Sequence, residues 1–333
     1  MVSTSQKNGV CNSIADRSTQ DTATGKPFVL AHLSDPHFAR VDHMGKKDFL
    51  NKRFLGYLRW KLKRQFEHSY ELLTILHKDL QRSKPDHIAV TGDLTQIGLP
   101  VEFKVAHEWL QTLGTADMVT VIPGNHDTYI KTDWHTTFAH WLDYMIADGQ
   151  DQPADLITSL DGLFPILRVR HQIALIGINT AYPCGAHLAT GNIGRDQLKG
   201  LETILKHLSK RHLFRIILIH HSPVKGVVKR RRSLTDAASL RTILERHGAE
   251  LVLFGHAHKA CQHILKTPSG LVPAMGAPSI SSLGPELERL SRYYLYTIYS
   301  TAESWEVHLE ERVFSLELHR FIGGRQQDFS FPT

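Results

Sequence analysis

Asp35, His37, Asp93, Asn125, His126, His220, His256 and His258 carry the side chains through which this 333-residue sequence could do chemistry. Carboxylate, carboxamide and imidazole make a mixed oxygen and nitrogen donor set without sulfur, large enough for two divalent metals with one carboxylate shared. Two ions about 3.5–4 Å apart can share a hydroxide, clamp a phosphate and stabilise both the attacking and the leaving oxygen. Such donors suit Mn, Fe, Co or Zn better than Mg or Ca, which prefer all-oxygen shells. Histidine is also unusually frequent: 22 residues, more than the 9 Tyr and 5 Trp together. Most of the others show no partner pattern; His68, His77, His107, His212 and His319 read as structural or surface residues.

The elements that must position this set alternate between strand and helix. Phe28–Leu33 reads as a buried strand ending at Ser34-Asp35-Pro36-His37, and His87–Val90 as a second, ending at Thr91-Gly92-Asp93. Met118–Ile122 runs into Pro123-Gly124-Asn125-His126-Asp127, Ile173–Ile178 into Asn179, Arg215–Ile219 into His220-His221, and Leu251–Phe254 into Gly255-His256-Ala257-His258. Helical spacing of apolar residues predicts helices over Lys46–Leu80, Val101–Leu113, Arg195–Leu208 and Leu234–His247, the last capped by Ser233 and closed by Gly248. Tyr293–Tyr299 and Trp305–Leu309 alternate like half-exposed antiparallel strands. Strand–helix alternation argues for an α/β fold, and open α/β sheets hold ligands at the carboxyl ends of their strands. Gly92, Gly124 and Gly255 each directly precede a candidate ligand, where the chain must turn sharply off its strand.

Composition excludes several alternatives. With 41% hydrophobic and 22% charged residues and a net charge of +6, the body of the chain is neither disordered, collagen-like nor a coiled coil. The length suits one large α/β domain or two smaller ones. No apolar run approaches the roughly 18 residues of a membrane span. Residues 1–27 are polar, read as a flexible tail and lack the apolar stretch of a signal peptide, so a cytoplasmic protein is expected. Cys11, Cys184 and Cys261 are far apart with no CxxC spacing, which excludes a disulfide scaffold and a thiolate zinc knuckle.

Five blocks in this order, Asp35-Pro36-His37, Gly92-Asp93, Gly124-Asn125-His126-Asp127, His220 and Gly255-His256-Ala257-His258, resemble the signature of the calcineurin-like metallophosphoesterases. The resemblance covers about residues 28–282 and implies a four-layer α-β-β-α sandwich. It also implies a pair of metal ions (Mn, Fe or Zn), one bound by Asp35, His37, Asp93 and His258 and the other by Asp93, Asn125, His220 and His256. The adjacent His221 leaves the fourth block open, and His220 is preferred because it terminates the strand. In that family a metal-bridging hydroxide attacks phosphorus; His126 matches the histidine that contacts the phosphate and assists the leaving group, and Asp127 is expected to orient it. Thr190-Gly191-Asn192-Ile193 with Gln197-Leu198 is similar to a segment of the class III cyclic-nucleotide phosphodiesterases. The lipid A precursor pyrophosphohydrolases, with arginine where this chain has His126, match less well, as do the DNA-repair nucleases around the fourth block.

The expected activity is thus hydrolysis of a small anionic phosphodiester, with cyclic nucleotides leading. A phosphomonoesterase or nuclease on the same centre and a non-catalytic metal-bound scaffold are the alternatives. Two basic stretches stand apart. Residues 46–64 interleave cations with Phe49, Phe54, Tyr57 and Trp60; a surface helix with its aromatic face on the core is preferred over an amphipathic helix that grips a membrane surface or a nucleotide phosphate, and its place between the first two blocks leaves room for one or two cations to face the substrate. Lys229-Arg230-Arg231-Arg232 reads either as a solvated loop or as a rim that steers anionic esters. Its lack of aromatics argues against a stable nucleic-acid complex. Residues 283–333 are left three roles: completing the sheet, capping the site or forming a homodimer contact.

Overall fold

Strands such as Ile-Ala-Leu-Ile-Gly-Ile at 173–178 are apolar on both faces, which requires a sheet covered on both sides. The computed structural model describes residues 25–332 except 39–43, 46–47, 49, 63–66, 150–155, 268–269 and 285, so most of the expected N-terminal tail lies outside the described residues. Two six-stranded sheets result. The first contains β1 (Phe28–Leu33), β2 (His87–Val90), β3 (Val119–Val121), β10 (Arg292–Ser300), β11 (Ser304–Ser315) and β12 (Arg320–Pro332), in the order β12-β11-β10-β1-β2-β3. The second contains β4 (Ile166–Arg170), β5 (Ile173–Ile178), β6 (Phe214–Ile219), β7 (Leu251–Phe254), β8 (Cys261–Thr267) and β9 (Gly270–Gly276), in the order β4-β5-β6-β7-β9-β8. The helices are α1 (Lys52–Leu62), α2 (Tyr70–Ser83), α3 (Pro100–Leu113), the single turn α4 (Leu142–Met145), α5 (Arg195–Leu208) and α6 (Ala237–His247).

Alternation along the strands divides the core. Phe214, Ile216 and Leu218 of β6 pack in one cluster with residues of the first sheet, including Leu30 and Leu33 of β1, while Ile217 and Ile219 pack with Leu201 and Leu205 of α5 and Leu240 and Leu244 of α6. Leu72, Leu76 and Leu80 of α2 and Phe103 and Leu110 of α3 cover the first sheet. The result is the four-layer α-β-β-α sandwich, with β1, β2 and β3 parallel in one sheet and β5, β6 and β7 parallel in the other.

Several expectations need correction. The helix read over Lys46–Leu80 is two helices, because residues 67–69 pair with the chain after β9: Ser69 N–H donates to Ser281 O (2.9 Å) and Leu283 N–H to Glu67 O (2.9 Å). The last helix begins at Ala237, not Leu234, and the residue at its cap is Asp236 rather than Ser233; the Asp236 carboxylate accepts from the Ile193 and Gly194 amides. Of the tyrosines in the segment Tyr293–Tyr299, only Tyr299 is partly exposed. β10 lies between β1 and β11 inside the first sheet, which buries Tyr293, Tyr294 and Tyr296 completely. Residues 292–332 therefore supply half of that sheet's strands.

Two buried histidines inside this framework set an acid limit on stability. His32 Nε2 meets Thr91 Oγ1 at 2.9 Å and His87 Nε2 meets Thr120 Oγ1 at 2.8 Å, and burial pushes each imidazole down to about 3. The fold therefore keeps them neutral while the unfolded chain protonates near 6.5, so their contribution is complete above that pH and is lost as pH falls toward 3. Between pH 7 and pH 5 each should cost the fold roughly 2 kcal/mol. Urea unfolding of His87→Gln is expected to show a correspondingly smaller acid loss than the parent chain; an identical pH slope would contradict this.

Candidate metal centre

The carboxyl ends of β1, β2 and β3 meet those of β6 and β7 along one seam, and polar contacts stitch it. His220 Nδ1–H donates to Thr91 O (2.7 Å), Gly255 N–H to His220 O (3.1 Å), His256 N–H to Asp35 Oδ2 (3.1 Å) and Ile280 N–H to Ser34 O (3.0 Å). Beyond β1 and β2 the two exit loops stay paired, with Asp35 N–H on Gly92 O (3.0 Å) and His37 N–H on Asp93 O (3.1 Å). Backbone strain concentrates here. Of nine non-glycine residues with positive φ among the described residues, five are candidate ligands: Asp35 (52°), His37 (46°), Asp93 (56°), His256 (63°) and His258 (52°). Left-handed backbone is unfavourable for such residues and persists only where the surroundings impose it.

These turns bring two donor groups together. Ligand-type atoms of Asp35, His37, Asp93 and His258 all lie within 4.8 Å of one another. His37 Nε2 is 3.0 Å from His258 Nε2, 3.7 Å from Asp35 Oδ1 and 3.9 Å from Asp93 Oδ2, and His258 Nε2 is 3.1 Å from Asp35 Oδ1. On the other side of Asp93, His220 Nε2 stands 3.4 Å from its Oδ1 and 3.2 Å from Asn125 Oδ1. His256 joins this side, its ring 5.1 Å from His220, and the ligand atoms of His220, His221 and His256 lie within 4.8 Å. His221 thus sits beside His256 with Nδ1 on Thr180 Oγ1 (2.7 Å), whereas His220 is the one that faces Asp93 and Asn125.

The donors fit a pair of cations. Carbonyl oxygens only accept, so Thr95 O fixes the proton of His37 on Nδ1 (3.1 Å), Thr91 O that of His220 on Nδ1, and Arg232 O that of His256 on Nε2 (2.9 Å). In its neutral form each ring then turns a lone pair from its other nitrogen inward, the arrangement of a metal-ligating histidine. Among the described residues, Asp35 Oδ1, Asp93 Oδ2 and His256 Nδ1 are buried without a hydrogen-bond partner, a costly state unless something positive satisfies them. Burial, reinforced by neighbouring imidazoles, holds His37 and His256 well below the usual range, so they stay neutral. Burial opposes charge on both Asp93 and His220, but their mutual attraction prevails: Asp93 is held well below the carboxylate range and His220 is raised to about 9.

His126 lies one residue beyond this group. Its N–H donates to Asp93 Oδ1 (2.7 Å), its Nδ1–H to the Gln96 carbonyl, and its ring stacks on Tyr129 with centroids 5.8 Å apart. The sequence assigns Asp127 to orienting this ring, and the structure gives it another role. Its carboxylate accepts instead from the amides of Gly124 (2.8 Å), Asp93 (2.9 Å) and Thr95 (2.8 Å), tying the β2 and β3 exit loops together. The orienting group is the Gln96 carbonyl, a backbone atom with no sequence signature. The segment 190–198 is likewise a support: Gln197 exchanges hydrogen bonds with the backbone of Asn179 (2.7 Å each), and Gly191 backs onto the His221 ring.

A cleft of about 330 Å³ opens over Asn125, His126 and His256, walled by Lys52, Arg59, Tyr129, Arg231 and Arg232 among others. Lys52 Nζ lies 4.3 Å from the centroid of the Tyr129 ring, and burial lowers its pKa. The two basic stretches therefore both reach the site, while Tyr57 and Trp60 of α1 pack against Ile97 and Leu99 as a core-facing side.

The calcineurin-like phosphoesterase family model matches residues 28–260, which span all five blocks. The chain belongs to that family. Among curated relatives, a probable cyclic nucleotide phosphodiesterase of Vesicomyosocius okutanii is 25% identical over 180 residues, 53% of this chain and 64% of the relative. A probable cyclic nucleotide phosphodiesterase of Synechococcus is 26% identical over 208 residues (60% and 67%), and a probable glycerophosphodiester phosphodiesterase of Arcobacter nitrofigilis 28% over 158 residues (45% and 47%). The matched regions thus span between about half and two thirds of these relatives. A dimetal phosphatase from Danio rerio shares the fold, with a TM-score of 0.55 at 14% identity over 92% of this chain and 98% of that one. Among the described residues no helix is long and apolar enough to cross a membrane.

Close backbone approach is part of this centre. A Cβ on Gly124 would overlap the amide nitrogen and carboxylate of Asp93. Gly124→Ala is expected to cost about 1–3 kcal/mol, as overpacking does, and to lower metal affinity together with stability. Thermal melts with metal analysis check this; an unaltered melt and full metal content would contradict it.

Proposed function

We propose that the chain is a di-metal phosphodiesterase in which Asp35, His37, Asp93 and His258 hold one ion, Asp93, Asn125, His220 and His256 hold the second, and His126 serves the leaving group. The observation that carries this reading is the convergence of two donor groups on Asp93, with buried acceptor atoms that nothing else satisfies. When bound, the ions supply a nucleophile at neutral pH and neutralise charge on the phosphoryl oxygens. The protein's part is to fix the ligands by strained turns and backbone carbonyls, and to gather the anion. Lys52, Arg59, Arg231 and Arg232 around the cleft favour an anionic ester and raise its local concentration.

A diester is the favoured substrate, and cyclic nucleotides lead because two relatives carry that name and the third is named for glycerophosphodiesters. Imidazole and carboxylate donors favour Mn, Fe or Zn, and a cytoplasmic setting suits a chain whose Cys184 and Cys261 are free thiols. The test pairs metal analysis of the purified protein with a panel of bis-p-nitrophenyl phosphate, p-nitrophenyl phosphate, cyclic nucleotides and single-stranded DNA. About two ions per chain and a higher kcat/KM for diesters than for the monoester are expected. No hydrolysis with Mn²⁺, Fe²⁺ or Zn²⁺ would reject the reading, and a preference for the monoester or DNA would reject the diesterase assignment.

A further inference from the structure

His68 lies between α1 and α2, 31 positions after His37 in sequence, yet the fold brings the two rings to a centroid distance of 4.9 Å. It is not there by accident of a loose loop. Residues 67–69 are pinned to residues 281–283 by the backbone hydrogen bonds already described, and the His68 ring is anchored separately. Its Nδ1 meets Ser281 Oγ at 2.8 Å and Ser279 Oγ at 3.3 Å, while the Ser279 hydroxyl donates to the carbonyl of Asp35 (2.6 Å). One anchor therefore holds both His68 and the loop that carries the first candidate ligand. The ligand nitrogens of His37, His68 and His258 lie within 4.8 Å of one another, and the His68 and His258 rings meet edge to face at 6.1 Å.

The arrangement repeats the device seen at the other histidines of the centre. His37, His220 and His256 each bind an oxygen through one ring nitrogen and turn the other toward the donor group. His68 meets two serine hydroxyls through Nδ1, and because Ser279 gives its own proton to Asp35 O it can only accept from Nδ1–H, which makes Nε2 the candidate ligand atom.

We infer that His68 supplies a further imidazole ligand, through Nε2, to the ion held by Asp35, His37, Asp93 and His258. This rests on the di-metal reading above. It makes the two ions unequal: the first gains a fifth protein donor, while the second keeps four.

The test is metal binding rather than turnover. Metal-free full-length chain, His68→Ala and His68→Gln are titrated with Co²⁺ against a chromophoric chelator, and the visible Co²⁺ spectrum is recorded at each step. The parent chain should take up two ions. In both variants one step should weaken about 10- to 100-fold and its Co²⁺ absorption should intensify as coordination number falls, while the other step holds within about two-fold. Ser281→Ala, which leaves the imidazole but removes its anchor, should weaken the same step by about ten-fold, and it decides the matter should the His68 variants fail to fold. Unchanged affinities and spectra in a folded variant would overturn the inference and leave the di-metal reading intact. A parent chain that binds no ion would overturn both.

Discussion

Asp93→Asn should empty the centre and lower kcat/KM on a diester by about 10⁴-fold or more, the largest effect of any single substitution in this chain. Among the described residues, Asp93 is the carboxylate that faces both donor groups, with Oδ2 3.9 Å from His37 Nε2 and Oδ1 3.4 Å from His220 Nε2. Asparagine keeps the shape and one acceptor but removes the charge. The two ions would then be held by neutral imidazoles and carboxamides plus Asp35 alone, too little negative charge to keep two cations a few ångströms apart. A change at one flank, such as His258→Ala, should by contrast spare the ion bound by Asn125, His220 and His256. Metal analysis after dialysis, run beside kcat/KM, separates the cases: Asp93→Asn loses both ions and His258→Ala loses one. An Asp93→Asn protein that retains two ions and activity within ten-fold of the parent would end the bridging assignment.

The centre was legible because its candidate ligands follow apolar strands whose types and lengths speak for themselves. β2, β5, β7 and α5 occupy the residues their patterns predict, so the blocks after β1, β2, β3, β6 and β7 fall along the seam where the carboxyl ends of the two sheets meet. What the pattern lacked is contact over long sequence separations. The break between α1 and α2 depends on hydrogen bonds to residues 281–283, which no local periodicity encodes. The burial of Tyr293, Tyr294 and Tyr296 depends on β10 being threaded between β1 and β11 rather than placed at an edge. Two roles in the site were hidden for a chemical reason. Gln96 orients His126 through its carbonyl, which any residue would carry, and Asp127 reads as a histidine partner although three amides claim its carboxylate. His68 was unreadable for the same spatial reason as the helix break, since the pairing that splits the helix also delivers its ring to His37.

His126→Ala should retain both metal ions and lose activity by about 10²- to 10⁴-fold on diesters with poor leaving groups. The reason lies in the tautomer. Gln96 O accepts the Nδ1 proton, so a neutral His126 turns a lone pair outward from Nε2; it can donate to a departing alkoxide only as the imidazolium, whose Nδ1–H the same carbonyl supports. A leaving group that is already a stable anion, such as p-nitrophenolate, has little need of that proton. The deficit of His126→Ala should therefore be large on a cyclic nucleotide or alkyl ester and small on bis-p-nitrophenyl phosphate, and log kcat should fall more steeply with leaving-group pKa than in the parent chain. His126 holds Asp93 Oδ1 through its backbone N–H, which alanine keeps, so the metal content of the variant should match the parent. An equal loss on every ester, at full metal content, would instead make His126 a phosphate-binding group that acts on ground state and transition state alike.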